Sequence, residues 1–273
     1  MSFNNYFKLK RFSNLLKQDL LINKTKYLLT ILGLGLVTYL LSYWFLNVSK
    51  YNMIEFKYVI YQNYMISFAF YMILVGVIIG TAFPDLTDKI KSSNYLLNPG
   101  STLEKLMLQF LIRFGFFIPI ALIIFWIAIR LAKASLTSGQ SGMDPSVIPY
   151  FEFRFVITRW PNQIWDTWQV LFGIFGLFSY GAYLFAGATY FKSYALVKTV
   201  IVSIVILFIS ISFSMLLSHI FYPTETHGFD IQLKEYALTE YLSSLELFFL
   251  ALSMLSWIFF LGIAYFKLKE KEA

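Results

Sequence analysis

Repeated apolar runs of about 20 residues constrain this chain more than any other feature. Six are legible, roughly 27–47, 58–83, 106–134, 166–191, 195–222 and 247–266. A hydrocarbon layer about 30 Å thick asks this length of a spanning helix. Composition agrees: 58% of the residues are hydrophobic and 14% charged, against about 45–50% and about 25% in soluble domains. Backbone amides cannot go unpaired in lipid, so uniformly apolar runs must be helical. Barrel strands would instead alternate in polarity over about 10 residues. The expectation is therefore an all-α integral membrane domain covering 1–273, with six transmembrane helices and an amphipathic interfacial helix within residues 1–26. The opening MSFNNYFKLKRF reads as retained rather than as a signal peptide, because polar residues continue to Lys26 and no small-residue cleavage site follows.

Charge sets the expected orientation. With the N-terminus inside, the segments facing the cytoplasm carry 15 of the 22 basic residues. The acidic residues divide six inside and nine outside, so the inner face is +9 and the outer face −2. Lysine and arginine stay on the cytoplasmic side, which puts both termini in the cytoplasm. The net charge of +7 is thus an orientation signal, and nucleic acid is not an expected partner. Trp44, Trp126, Trp160, Trp165 and Trp168 fall near the outer boundary, as an aromatic belt does.

Several chemistries are excluded or disfavoured. The chain has no cysteine, which removes disulfides, iron–sulfur clusters and thiolate zinc sites. His219 and His227, with Glu225 and Asp230 nearby, match no helical ligand spacing, so no metal is expected. No GxxxxGK[ST] phosphate loop, HExxH or GxSxG is present. The apolar spans also hold no acidic pair; Asp85, Asp88 and Glu104 lie at the cytoplasmic edge. The expectation is a chain that is not itself an enzyme and carries no cofactor.

The loop joining the second and third runs is different. In NYLLNPGSTLEKL, residues 94–106, Asn98-Pro99-Gly100 reads as a turn. Ser101 then caps a helix, and Glu104 three residues on completes a capping box. Pro84 is expected to end the second span by removing a backbone donor. In the third span Pro119 should bend the helix, since residue 115 loses its hydrogen-bonding partner. Arg113 lies about 10 Å into that span at about 1.5 Å per residue. Either it snorkels to the inner headgroups or it faces a path for an anionic substrate. Gly76-xxx-Gly80 and Ala182-xxx-Ala186 offer close helix approach, within the chain or between copies. In the first segment Leu9, Phe12, Leu16 and Leu20 share one helical face, with Lys10, Asn14 and Lys17 away from it.

Taken in order, these stretches resemble bacterial permeases of the second ATP-binding-cassette (ABC) exporter type, a six-helix class. LLNPGSTLEKL is similar to the element such permeases dock into their ATPase, and TYFKSYALVKTV and AYFKLKEKEA are similar to the corresponding connection and tail. The resemblance implies a permease subunit in the bacterial cytoplasmic membrane. A separate cytoplasmic ATPase would supply the ATP and magnesium, and a second permease chain would be identical or related. It assigns ATPase coupling to Asn98, Pro99 and Gly100 as the turn, Ser101 and Glu104 as the helix start, and Lys105 as a contact. Two stretches depart from the family pattern. Residues 223–246 are acidic where short apolar re-entrant helices are usual, and the long segment 135–165 contains YFEFRFVITRW, whose alternation suggests a strand or interfacial ribbon. These outer segments motivate a second reading, a non-transporting anchor or scaffold in an envelope complex.

Overall fold

Each of the six apolar runs lies on a helix. The computed structural model describes residues 7–49, 56–87, 95, 100–138, 150–153, 159–160, 163–164, 167–191, 193–221, 237–239 and 242–272. The amphipathic helix α1 spans Leu9–Ile22, followed at Lys24–Ser49 by α2 and at Phe56–Ile79 by α3. Helix α3 stops short of the expected end near residue 83, and Pro84 instead opens a single 3-10 turn, Pro84–Thr87. Proline suits that first helical position because its missing N–H would be unpaired there anyway.

The third run is one continuous rod in three parts: α4 (Thr102–Phe110), a π-helical segment (Leu111–Phe117) and α5 (Ile118–Ser138). The π segment lies immediately ahead of Pro119. The widened register offers carbonyls before the proline a donor one residue further on. Helices α6 (Thr167–Tyr190), α7 (Ala195–Phe221) and α8 (Ser244–Glu272) follow. Four of the helical stretches are long and apolar enough to cross a membrane on their described residues: Lys24–Val48, Thr102–Ser138, Ala195–Leu217 and Leu247–Lys271.

Two helix pairs dominate the packing, α2 with α5 and α6 with α8. Phe114 and Phe185 join them, with ring centroids 5.9 Å apart, and Phe83 packs on Phe185 at 5.1 Å. Small residues set the approach distances. A Cβ on Gly76 would lie 3.0 Å from Tyr180 of α6, and one on Gly80 would collide with Leu196 of α7. Ala182 and Ala186 are buried. Both small-residue pairs therefore pack within the chain. Gly187 is tighter still, since a Cβ there would overlap the Thr199 side chain. That contact closes α6 against the start of α7, and the Tyr183 hydroxyl donates to the Thr199 carbonyl at 3.0 Å.

The alternating segment resolves into two parts. Phe151 is buried and meets Tyr64 and Phe125 edge-on at 5.5 and 5.2 Å, while Phe153 meets Phe68 at 6.3 Å. Further on, Arg159–Trp160 pairs antiparallel with Gln163–Ile164. A second small pair joins Ala237–Thr239 to Leu242–Ser243. Most of the acidic stretch 223–246, including Glu225, His227 and Asp230, lies outside the described residues.

Candidate functional site

Glu104 is the centre of the arrangement. Ser101 is extended (φ −69°, ψ 154°), its hydroxyl accepts the Glu104 amide at 3.2 Å, and the Ser101 amide donates to Glu104 Oε2 at 3.0 Å. The capping box read from STLE is therefore formed. The same carboxylate does more. Arg11 of α1 donates Nε to Oε2 at 2.5 Å and Nη2 to Oε1 at 2.8 Å, and the Lys8 amide donates to Oε1 at 2.7 Å. Glu104 has no exposed surface, whereas the Arg11 side chain is 32% exposed. A forked guanidinium and two backbone donors are what a buried carboxylate needs to remain ionised without a large desolvation cost. The hydrogen bond from Arg11 to Glu104 in turn raises the Arg11 pKa above its ordinary value.

Apolar contacts seal the joint. Leu15 of α1 packs with Leu108 and Ile112, flanked by Phe12, Leu16 and Tyr27. Gly100 fits beneath it, for a Cβ there would lie 2.8 Å from Leu15 Cδ1. Of the four residues expected to share a face, Phe12 and Leu16 pack here beside Leu15, while Leu9 and Leu20 remain exposed. Asn98 and Pro99, expected to form the turn, lie outside the described residues.

Lys105, which the resemblance implies as an ATPase contact, is buried. It is 2% exposed, with Nζ 5.7 Å from the Tyr95 ring centroid. Among the described residues up to Lys26, the exposed lysines are Lys8, Lys10, Lys17, Lys24 and Lys26.

Arg113 sits in the π segment, 7% exposed. Its two terminal nitrogens donate to the carbonyls of Ile78 and Thr81, each at 3.2 Å. These carbonyls lie at the C-terminal end of α3, where a cation complements the helix dipole; the Ile78 oxygen also accepts from the Thr81 amide and hydroxyl. Its guanidinium carbon also stands 6.0 Å from the ring of Tyr27, whose hydroxyl donates to Asp19 at 2.5 Å. Arg113 is turned into the protein, tying the third rod to α3 rather than reaching outward. Among the described residues its Nε has no hydrogen-bond partner.

Beside this joint, a cleft of about 500 Å³ lies between Gly80–Pro84 and the α6–α7 turn. In that turn Tyr194, 79% exposed, adopts φ +50°, a left-handed conformation costly for a side chain with a Cβ.

Comparison of the chain with protein-family models, curated proteins and solved structures returned no match. Sequence reasoning found Ser101 and Glu104 because a capping box is local. It missed Arg11, Lys8 and Leu15, whose only signals were an arginine among lysines and an apolar sector wider than one stripe.

Proposed function

We propose that this chain is the permease subunit of an ATP-driven exporter, embedded by six spans in a bacterial cytoplasmic membrane with both termini inside. A separate cytoplasmic ATPase carries the nucleotide and magnesium, and a second permease chain completes the path. The observation supporting this most is the fastening of α1 to α4 through the fully buried Glu104. A coupling surface must transmit force without yielding, and a carboxylate held by four donors from two segments makes α1 and the elbow one body. Closure of the ATPase against that body would move the third rod. Arg113 would pass the motion to the end of α3 through the Ile78 and Thr81 carbonyls.

The test is to tag the chain, solubilise native membranes gently and identify stoichiometric partners by mass spectrometry. A partner carrying a GxxxxGK[ST] loop is expected. Its retention should fall in Glu104→Lys and Gly100→Pro, which break the ion pair and the close contact with Leu15. Envelope proteins recovered with no ATPase would replace this reading with the anchor or scaffold one.

A further inference from the structure

The cleft between the end of α3 and the α6–α7 turn takes no part in the α1–α4 joint. At about 500 Å³ it falls within the range, about 300–1,000 Å³, of sites that take a small apolar ligand. Phe83, Pro84, Leu196 and Val197 supply apolar walls, and Thr81 and Ser193 bring hydroxyls. Both walls continue along their helices. On α3, Val77 and Ile73 precede Thr81 at four-residue intervals and so share its side of the helix. On α7, Ile201 and Val205 follow Val197 in the same way. Ile73, Val197, Ile201 and Val205 are all exposed, and the α7 residues belong to a stretch apolar enough to cross a membrane. Beside the hydroxyls stands a cation. Lys198, exposed in the first turn of α7, donates to the Ser193 hydroxyl at 3.3 Å. No acidic residue lies in that turn, and among the described residues no carboxylate pairs with Lys198. Lys267, by contrast, already holds Glu270 at 2.6 Å.

We infer that this cleft holds one phospholipid with an anionic headgroup. Its phosphate meets Lys198 and the Ser193 hydroxyl, and an acyl chain lies between the walls given by α3 and α7. An uncompensated cation at the edge of an apolar slot, with exposed apolar helix faces leading away from it, is complementary to an anionic amphiphile in both charge and polarity. A free phosphate would leave the apolar walls unused, and a neutral lipid would leave Lys198 unmatched. The exposed Tyr194 borders the same edge, at the level where tyrosines meet headgroups. A lipid so placed extends the close approach of Gly80 to Leu196, bridging the end of α3 and the start of α7. The inference rests on the chain lying in a membrane and not on the identity of any ATPase.

The test is photo-crosslinking of the full chain in detergent micelles. Phosphatidylglycerol or phosphatidylcholine carrying a diazirine on one acyl chain is added, irradiated, and its sites of attachment are mapped by mass spectrometry. Phosphatidylglycerol is expected to label residues 81–84 and 194–197 more heavily than the exposed α7 face at 204–208. Phosphatidylcholine should label the cleft about fivefold less, the worth of one lysine beside an anionic headgroup. Unlabelled phosphatidylglycerol should displace the probe, and inorganic phosphate should not. Lys198→Gln should lower the phosphatidylglycerol yield at the cleft to that of phosphatidylcholine. Val197→Trp, which fills the slot from an exposed position, should lower both. Neither substitution should change labelling at 204–208. Equal labelling of the cleft and of 204–208 would overturn the inference, and so would equal yields from the two lipids. Displacement by phosphate would also overturn it, by making the site one for a free anion. Failure to recover an ATPase would leave this result untouched.

Discussion

Glu104 and Arg113 show what charged side chains do inside an apolar chain: each bonds backbone groups at the end of a helix. Glu104 accepts from the Lys8 and Ser101 amides as well as from Arg11, and Arg113 donates to the last carbonyls around α3. Replacing Glu104 by glutamine keeps the shape but removes the charge-assisted fork. A loss of about 1–3 kcal/mol is expected, toward the lower end because Arg11 is partly exposed and can return to water. The measurements are the thermal midpoint in detergent and the rate of proteolysis within α1, which should rise. For Arg113→Lys the charge stays but the fork is lost. Amide exchange in the last turn of α3 should then quicken while α6 and α8 are unaffected. Unchanged exchange around residues 78–81 would mean that the fork does not hold that helix end. Should Arg113→Ala leave transport and ATPase stimulation at wild-type levels, its part in passing motion to α3 would fall.

At the scale of elements, the turn between α6 and α7 depends on Gly187, where any Cβ would meet Thr199. Gly187→Ala is expected to cost about 1–3 kcal/mol by overpacking, read as a lower midpoint of thermal unfolding. Thr199→Ala paired with Gly187→Ala should recover part of it by removing the Oγ1 and Cγ2 atoms that the new Cβ meets first. The elements themselves were legible: the apolar runs have the length of spanning helices, and the STLE box is set by four consecutive residues. Other features were not. Arg11 meets a carboxylate 93 residues away, and no local pattern encodes that pairing. Alternation in YFEF told that Phe151 and Phe153 share a side, but only α3 and α5 together decide that they enter an aromatic layer with Tyr64, Phe68 and Phe125. Nor does any local pattern encode the burial of Lys105 beside the Tyr95 ring.

For the whole molecule, the distribution of lysine and arginine predicts which end faces the cytoplasm. In intact cells a thiol reagent that cannot cross membranes should label Tyr150→Cys, at a position 65% exposed. It should reach Asn14→Cys only after permeabilisation. The reverse pattern would put the α1–α4 joint outside, away from any ATP, and end the exporter proposal. One consequence of the buried carboxylate concerns time. Arg11 leaves the ribosome 93 residues before Glu104, so α1 must wait while α2 and α3 are made. Until the two segments meet, each keeps an unsatisfied charge in or near the membrane, and their meeting closes a loop containing two finished helices. The ion pair can therefore form only after α2 and α3 have been made, while more than half of the chain is still to come.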